Sequence, residues 1–269
     1  MAAYLRAFLL GALLLAGGGG VRAEGWEESV PPYAPGTFTP PRPVQVRYAF
    51  GWGELTAATA ELQFSRVDDQ FQLKGSAQTV GLARSMWKFD IEQVSTSDAG
   101  TLRPLHLKEV EHARSKEWET ELSFTPERVT ARRTETSEKG TQTKTRKFDF
   151  PNVMSLSSAL LYLRSKPLSE GAIERVVVYP SNSAYLCTVT VLGREHISVA
   201  SGAYEAIKLE VKLNKIGKNR ELQPHKKFKR AIVWLSDDAD RLILRIESQI
   251  FLGTVFAELQ SADFGNGKR

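Results

Sequence analysis

From residue 44 onward, apolar and polar positions alternate with a period of two. Val44, Val46, Tyr48, Phe50 and Trp52 fall on one side of the run, with Gln45 and Arg47 on the other. Ala58, Ala60, Leu62 and Phe64 make the next apolar face, followed by Trp87, Phe89 and Ile91, and by Trp118, Leu122 and Phe124. The pattern returns at Val189 and Val191, at Leu209, Val211 and Leu213, and at Val233 and Leu235. It ends with Leu242, Leu244 and Ile246, then Val255, Ala257 and Leu259. Because successive side chains of a strand point to opposite faces, this predicts half-buried antiparallel strands with one face solvated. Turn chemistry separates the runs at hairpin spacing: Asp68-Asp69, Ser97 to Gly100, Thr125-Pro126-Glu127, Glu138-Lys139-Gly140, Ser201-Gly202 and Asp237 to Asp240.

One segment breaks the alternation. Leu156, Leu160 and Leu163 recur at helical spacing behind Ser155, a residue suited to cap a helix N-terminus, and Pro167 stops the run. The expected fold is all-β and mainly antiparallel. About a dozen strands form one large curled sheet, or a half-open or closed β-barrel, with one short helix around 155–164. A single β-rich domain spans 44–262, followed by a polar tail at 263–269.

The first 23 residues read as an export signal. Arg6 precedes the apolar run Ala7 to Ala16, Gly17 to Gly20 break it, and Val21-Arg22-Ala23 offers small residues at the cleavage positions. Ten apolar residues fall short of the roughly 20 that span a bilayer. Cleavage after Ala23 and a periplasmic or secreted bacterial protein are expected. Residues 24–43 carry six of the twelve prolines and read as an extended leader.

Composition narrows the chemistry. A single cysteine, Cys187, excludes a disulfide framework and a multi-cysteine metal site, and its place in the alternating run Tyr185 to Val189 predicts a buried thiol. The chain carries 36 Lys and Arg against 31 Asp and Glu. Loss of Arg6 and Arg22 lowers the net charge from +5 to +3, too little to imply nucleic acid.

Nucleophile-elbow, P-loop, dinucleotide and zinc-protease motifs are absent from the sequence. His106 and His112 lie six residues apart, about 20 Å along a strand, too far to share a metal. Asp237, Asp238 and Asp240 lack calcium-loop spacing and read as a hairpin turn. As acids, Asp237, Asp238 and Glu195 have no evident nucleophile partner. No catalytic residue, cofactor or metal site is expected.

Two features are left as candidates. Lys212, Lys215, Lys218, Arg220, Lys226, Lys227, Lys229 and Arg230 face the single acid Glu221 within 212–230. The segment reads as a long hairpin loop. Lys226, Lys227, Lys229 and Arg230 would be its contacts with an anionic membrane surface or envelope polymer, unless the charges only solvate the loop. The aromatics Tyr48, Phe50, Trp52, Trp87, Phe89 and Trp118 would either pack solid or line a lipid-sized cavity inside the sheet. Gly51, Gly53, Ala57, Ala58 and Ala60 beside them allow close backbone approach or sharp bending.

Several blocks resemble the bacterial exported-protein family called domain of unknown function 3108. They are Tyr48 to Ala57, Gly81 to Asp90, Ser95 to Pro104, Ser155 to Gly171, Val191 to Leu209, and Val233 to Leu259 with its WLSDDADR. Together they run in order from about 44 to 260. Where family members often carry an Asp before the helix, this chain has Asn152-Val153, so no role for that acid carries over. The resemblance implies an exported, mostly antiparallel β protein and no established reaction. The expected function is a non-enzymatic envelope protein binding a lipid-like or hydrophobic ligand in a curved sheet. The alternative is a scaffolding module with a solid interior that engages another envelope protein.

Overall fold

Residues 25–224, 230–250 and 253–265 are described by a computed structural model. The export signal and Lys226, Lys227 and Lys229 lie outside them. Eight strands, β1 (Val44–Trp52), β2 (Leu55–Val67), β3 (Gln70–Thr79), β4 (Phe89–Asp98), β5 (Pro104–Ala113), β6 (Lys116–Thr125), β7 (Arg128–Ser137) and β8 (Gly140–Asp149), meander outward from the middle of one sheet. The chain then crosses to the opposite edge at β9 (Ile173–Val178) and returns through β10 (Tyr185–Val199) and β11 (Gly202–Ile216). A short β12 (Leu222–Pro224) pairs only with β11, after which β13 (Ala231–Ser236), β14 (Ile243–Ile250) and β15 (Gly253–Asp263) lead back to β1. All six anticipated turns join neighbouring antiparallel strands.

The sheet is curled and does not close. Its path ends at β8 and β9, which do not pair. The outer edge of β9 is instead taken by Met154, which accepts from Tyr179 N–H and donates to Val177 O, each at 2.8 Å. Side chains bridge the seam: Arg133 reaches Ser181 Oγ at 3.4 Å and Arg146 reaches Asn182 O at 3.0 Å. Across it, Leu107, Leu122, Phe124 and Val129 pack with Val177, Tyr179 and Leu186. The other face of β9 and β10, with Val176, Val178, Cys187 and Val189, packs against the helix. Burial on both faces accounts for the near-continuous apolar runs there.

Two helices occur among the described residues, not one. The anticipated helix, here α2, spans Leu156–Arg164, and Ser155 caps it by accepting from Ser158 N–H at 3.1 Å. The unanticipated α1, Gly81–Met86, is less than two turns long and therefore shows no helical periodicity. A 3-10 turn at Trp26–Ser29 opens the leader.

Two further expectations are corrected. The segment 212–230 is not one long loop, because β11 continues to Ile216 and β12 folds back on it. Trp52 does not share the burial of Tyr48 and Phe50. A bulge opposite Phe50 and Gly51 leaves Ala57 of β2 without a partner in β1, and Trp52, the last residue of β1 beyond it, is 42% exposed. Gly51 is needed at that bend, since a Cβ there would lie 2.3 Å from Leu55 O.

The proline-rich leader is extended and docked. Trp26 stacks on Phe150 and donates its indole N–H to Arg220 O at 2.6 Å. Tyr33 stacks on Tyr162 of α2, Gly36 N–H donates to Ser165 Oγ at 3.0 Å, and Arg42 pairs with Asp240. It acts as a strap across α2.

Candidate functional site

Helix α2 is held from several directions. Ala159, Tyr162 and Leu163 pack toward β9, β10 and β11, while Leu161 packs with Phe71 and Leu102. The last carbonyls of a helix are short of intrahelical partners. Arg241, at the β13–β14 turn, donates to the carbonyl oxygens of Leu163 (3.4 Å), Arg164 (3.3 Å) and Lys166. A cation at that position also matches the negative end of the helix dipole.

Where α2 crosses β1 to β4 and the start of β14, a cavity of about 90 Å³ lies between helix and sheet. Its walls are Val44, Val46, Leu62, Phe64, Phe71 and Leu73 from the strands, Leu160 and Leu161 from the helix, and Leu242 and Ile243 beside β14. Three of the neutral polar groups among the lining are hydrogen-bonded to protein partners. Tyr48 donates its hydroxyl to Ile243 O at 2.8 Å, and Ser95 and Ser157 bond each other at 2.9 Å.

The charged residues lining the cavity are both cationic, Arg164 and Arg241. Arg241 is committed to the helix end. The guanidinium of Arg164 has no hydrogen-bond or ion-pair partner among the described residues. Burial pulls it down from its ordinary value to about 10, partly opposed by Asp240 and Asp238, so it stays charged at neutral pH. Both acids carry bonds to other groups. Asp240 is gripped by Arg42, and Asp238 Oδ1 accepts from Ser236 Oγ, Asp240 N–H and Arg241 N–H.

The anticipated ligand-facing aromatics separate. Tyr48 alone reaches this cavity. Phe50 and Phe89 lie in a packed cluster with Ile91, Leu244 and Leu259, and Trp87 stacks on Phe89 at 4.8 Å. Trp118 is half-buried on β6, with Arg133 5.7 Å from its ring centroid. Sequence reasoning passed over Arg164, whose signal was a basic residue one turn beyond Leu160 on an otherwise apolar helix.

Two further clefts, of about 210 and 190 Å³, flank the strap. The lining of the first includes Asp98 and Thr101, which bond each other, and Tyr33, which donates to Thr101 O. Of the anionic-surface candidates, Arg230 is described and pairs with Glu210 at 3.4 Å, as does Lys212 at 2.7 Å. Arg220 lies 3.8 Å from Glu27. These acids from outside the segment offset charges that a local count left unopposed.

The acids considered for catalysis have structural partners. Asp237 pairs with Arg194 at 2.7 Å. Glu195 accepts from the Trp234 indole at 2.6 Å and from Lys208 at 3.1 Å, and these bonds hold its carboxyl below the ordinary range.

A curled, open, barrel-like antiparallel sheet with a helix and strap laid against it defines the structural class. The chain belongs to the family described as protein of unknown function (DUF3108), which matches residues 46–260. It is similar in fold to a β-barrel-like protein of domain of unknown function DUF1849 from Brucella abortus. The two share 9% identity over 85% of this chain and 100% of that one, with a TM-score of 0.58. A candidate exported protein with a YmcC-like fold from Bacteroides fragilis matches at 7% identity over 86% and 100% of the two chains, TM-score 0.37. A candidate lipoprotein from Parabacteroides distasonis matches at 6% identity over 84% and 97%, TM-score 0.33. Comparison with curated proteins gives no match.

Proposed function

We propose that this is an exported, non-enzymatic protein of the bacterial envelope that takes the apolar part of an amphiphilic ligand between α2 and the curled sheet. The observation that carries this reading is the cavity under α2, whose walls are side chains of Val, Leu, Ile and Phe with few polar groups. Its volume is below the roughly 150 Å³ of an engineered cavity that holds benzene, so it receives a few methylenes and not a whole lipid. The N-terminal pattern supports export, and the structural bonds made by Asp237, Asp238 and Glu195 support a role without catalysis. Native mass spectrometry of protein purified from its own cells tests the reading, with a co-purifying amphiphile expected. Protein carrying none, and binding no short-chain amphiphile afterwards, would leave the second reading.

That second reading is a scaffold engaging another envelope protein. It is favoured by the dense packing of Phe50 and Phe89, two aromatics anticipated as ligand contacts.

A further inference from the structure

Resting on the ligand-binding reading above, we infer that the cavity selects an anionic head: it takes a short acyl or alkyl segment ending in a carboxylate or phosphate, with Arg164 as the counter-charge. Three observations lead there. The cavity wall is apolar, which suits a hydrocarbon segment. Both charged residues along it are cations. Arg241 directs its Nη1 to the carbonyls at the end of α2, whereas the Arg164 guanidinium makes no bond to a described residue.

A half-buried guanidinium without a partner is costly, and proteins ordinarily place an acid beside it. Here the two nearby acids are turned to other work. Arg42 of the strap occupies both carboxylate oxygens of Asp240, and Asp238 Oδ1 accepts three bonds within the turn it builds. The planar fork of Arg matches both carboxylate and phosphate oxygens, which are the heads of a free fatty acid and of a phospholipid-type amphiphile.

Isothermal titration of the mature protein with octanoate, octyl phosphate and octanol separates the cases. Either anion is expected to bind at least tenfold more tightly than octanol. In Arg164→Gln that advantage should collapse to within about twofold, with the affinity for octanol unchanged. The tighter of the two anions identifies the source, a free acid or a phosphate head. Leu160→Trp, which fills the cavity, should abolish all three, and circular dichroism of both variants checks that they fold. Equal binding of octanol and the anions by the parent protein would overturn the anionic selection and leave the apolar cavity standing. Binding of none of the three would overturn both.

Discussion

Tyr33 stacks on Tyr162 with ring centroids 5.2 Å apart and planes 25° from parallel. A residue of the proline-rich leader is thereby fixed to the last turn of α2. The Tyr33 hydroxyl donates to Thr101 O at 2.5 Å and Lys166 Nζ donates to Ala34 O at 2.6 Å, so the contact is backed on both sides. Tyr33→Ala removes the ring contact and one hydrogen bond, and should cost about 2 kcal/mol. Urea titration measures this as a lower midpoint with an unchanged slope. An unaltered midpoint would mean that the strap contributes nothing to the folded unit.

Arg241 anchors the end of α2 through three carbonyls. Arg241→Gln should destabilise the protein by about 1–3 kcal/mol, the range for hydrogen bonds to charged donors. Hydrogen exchange should quicken first in the last turn of α2, at Tyr162 to Arg164. Uniform quickening over the whole sheet would contradict a local anchoring role.

The anticipated aromatics should divide by burial. Phe89 is fully buried and Trp52 is 42% exposed. Phe89→Ala is expected to cost about 3–5 kcal/mol as a large-to-small change in a packed core. Trp52→Ala should cost less than about 1 kcal/mol. Comparable losses from the two would show that Trp52 is buried in solution.

Stability should fall in alkali. Burial pushes the Cys187 thiol from 9.0 up to about 12 and the Tyr179 phenol from 10.0 up to about 12, and it raises Tyr33, Tyr48 and Tyr185 as well. These groups keep their protons in the folded chain and lose them on unfolding. Their contribution is whole below pH 9 and declines from pH 9 toward 12. The urea midpoint should drop between pH 8.5 and 10.5, and a thiol reagent at pH 8 should label Cys187 only after denaturant is added.

Much of the sheet was legible because its signals are local. Each named turn sits where Asp, Gly or Pro interrupts an alternating run, and Ser155 with Leu156, Leu160 and Leu163 marked α2 to within a residue. β8 was not legible. It lies at the sheet edge with nearly every side chain exposed, so its TQTKTRK carries no apolar alternation. Trp52 misled because it ends β1 beside a bulge in β2, and periodicity along one strand registers neither its end nor an extra residue in its partner. The site was the least legible part. Tyr48, Arg164 and Arg241 come from β1, α2 and the β13–β14 turn, and only the curl of the sheet brings them to one cavity.

The order of the sheet also sets a clock. β1 lies between β2 and β15, so one edge of the first strand waits for the last strand of the domain. A chain emerging from its N-terminus can zip β1 through β8 by hairpins, each closing a short loop. Until β15 arrives, however, the backbone groups of Val46 to Trp52 along that side stay unsatisfied, an open edge of the kind that recruits foreign strands. The molecule is finished at its centre and not at its rim. Truncation before Gly253 should therefore expose the middle of the sheet, turning the loss of one terminal strand into aggregation of the whole chain.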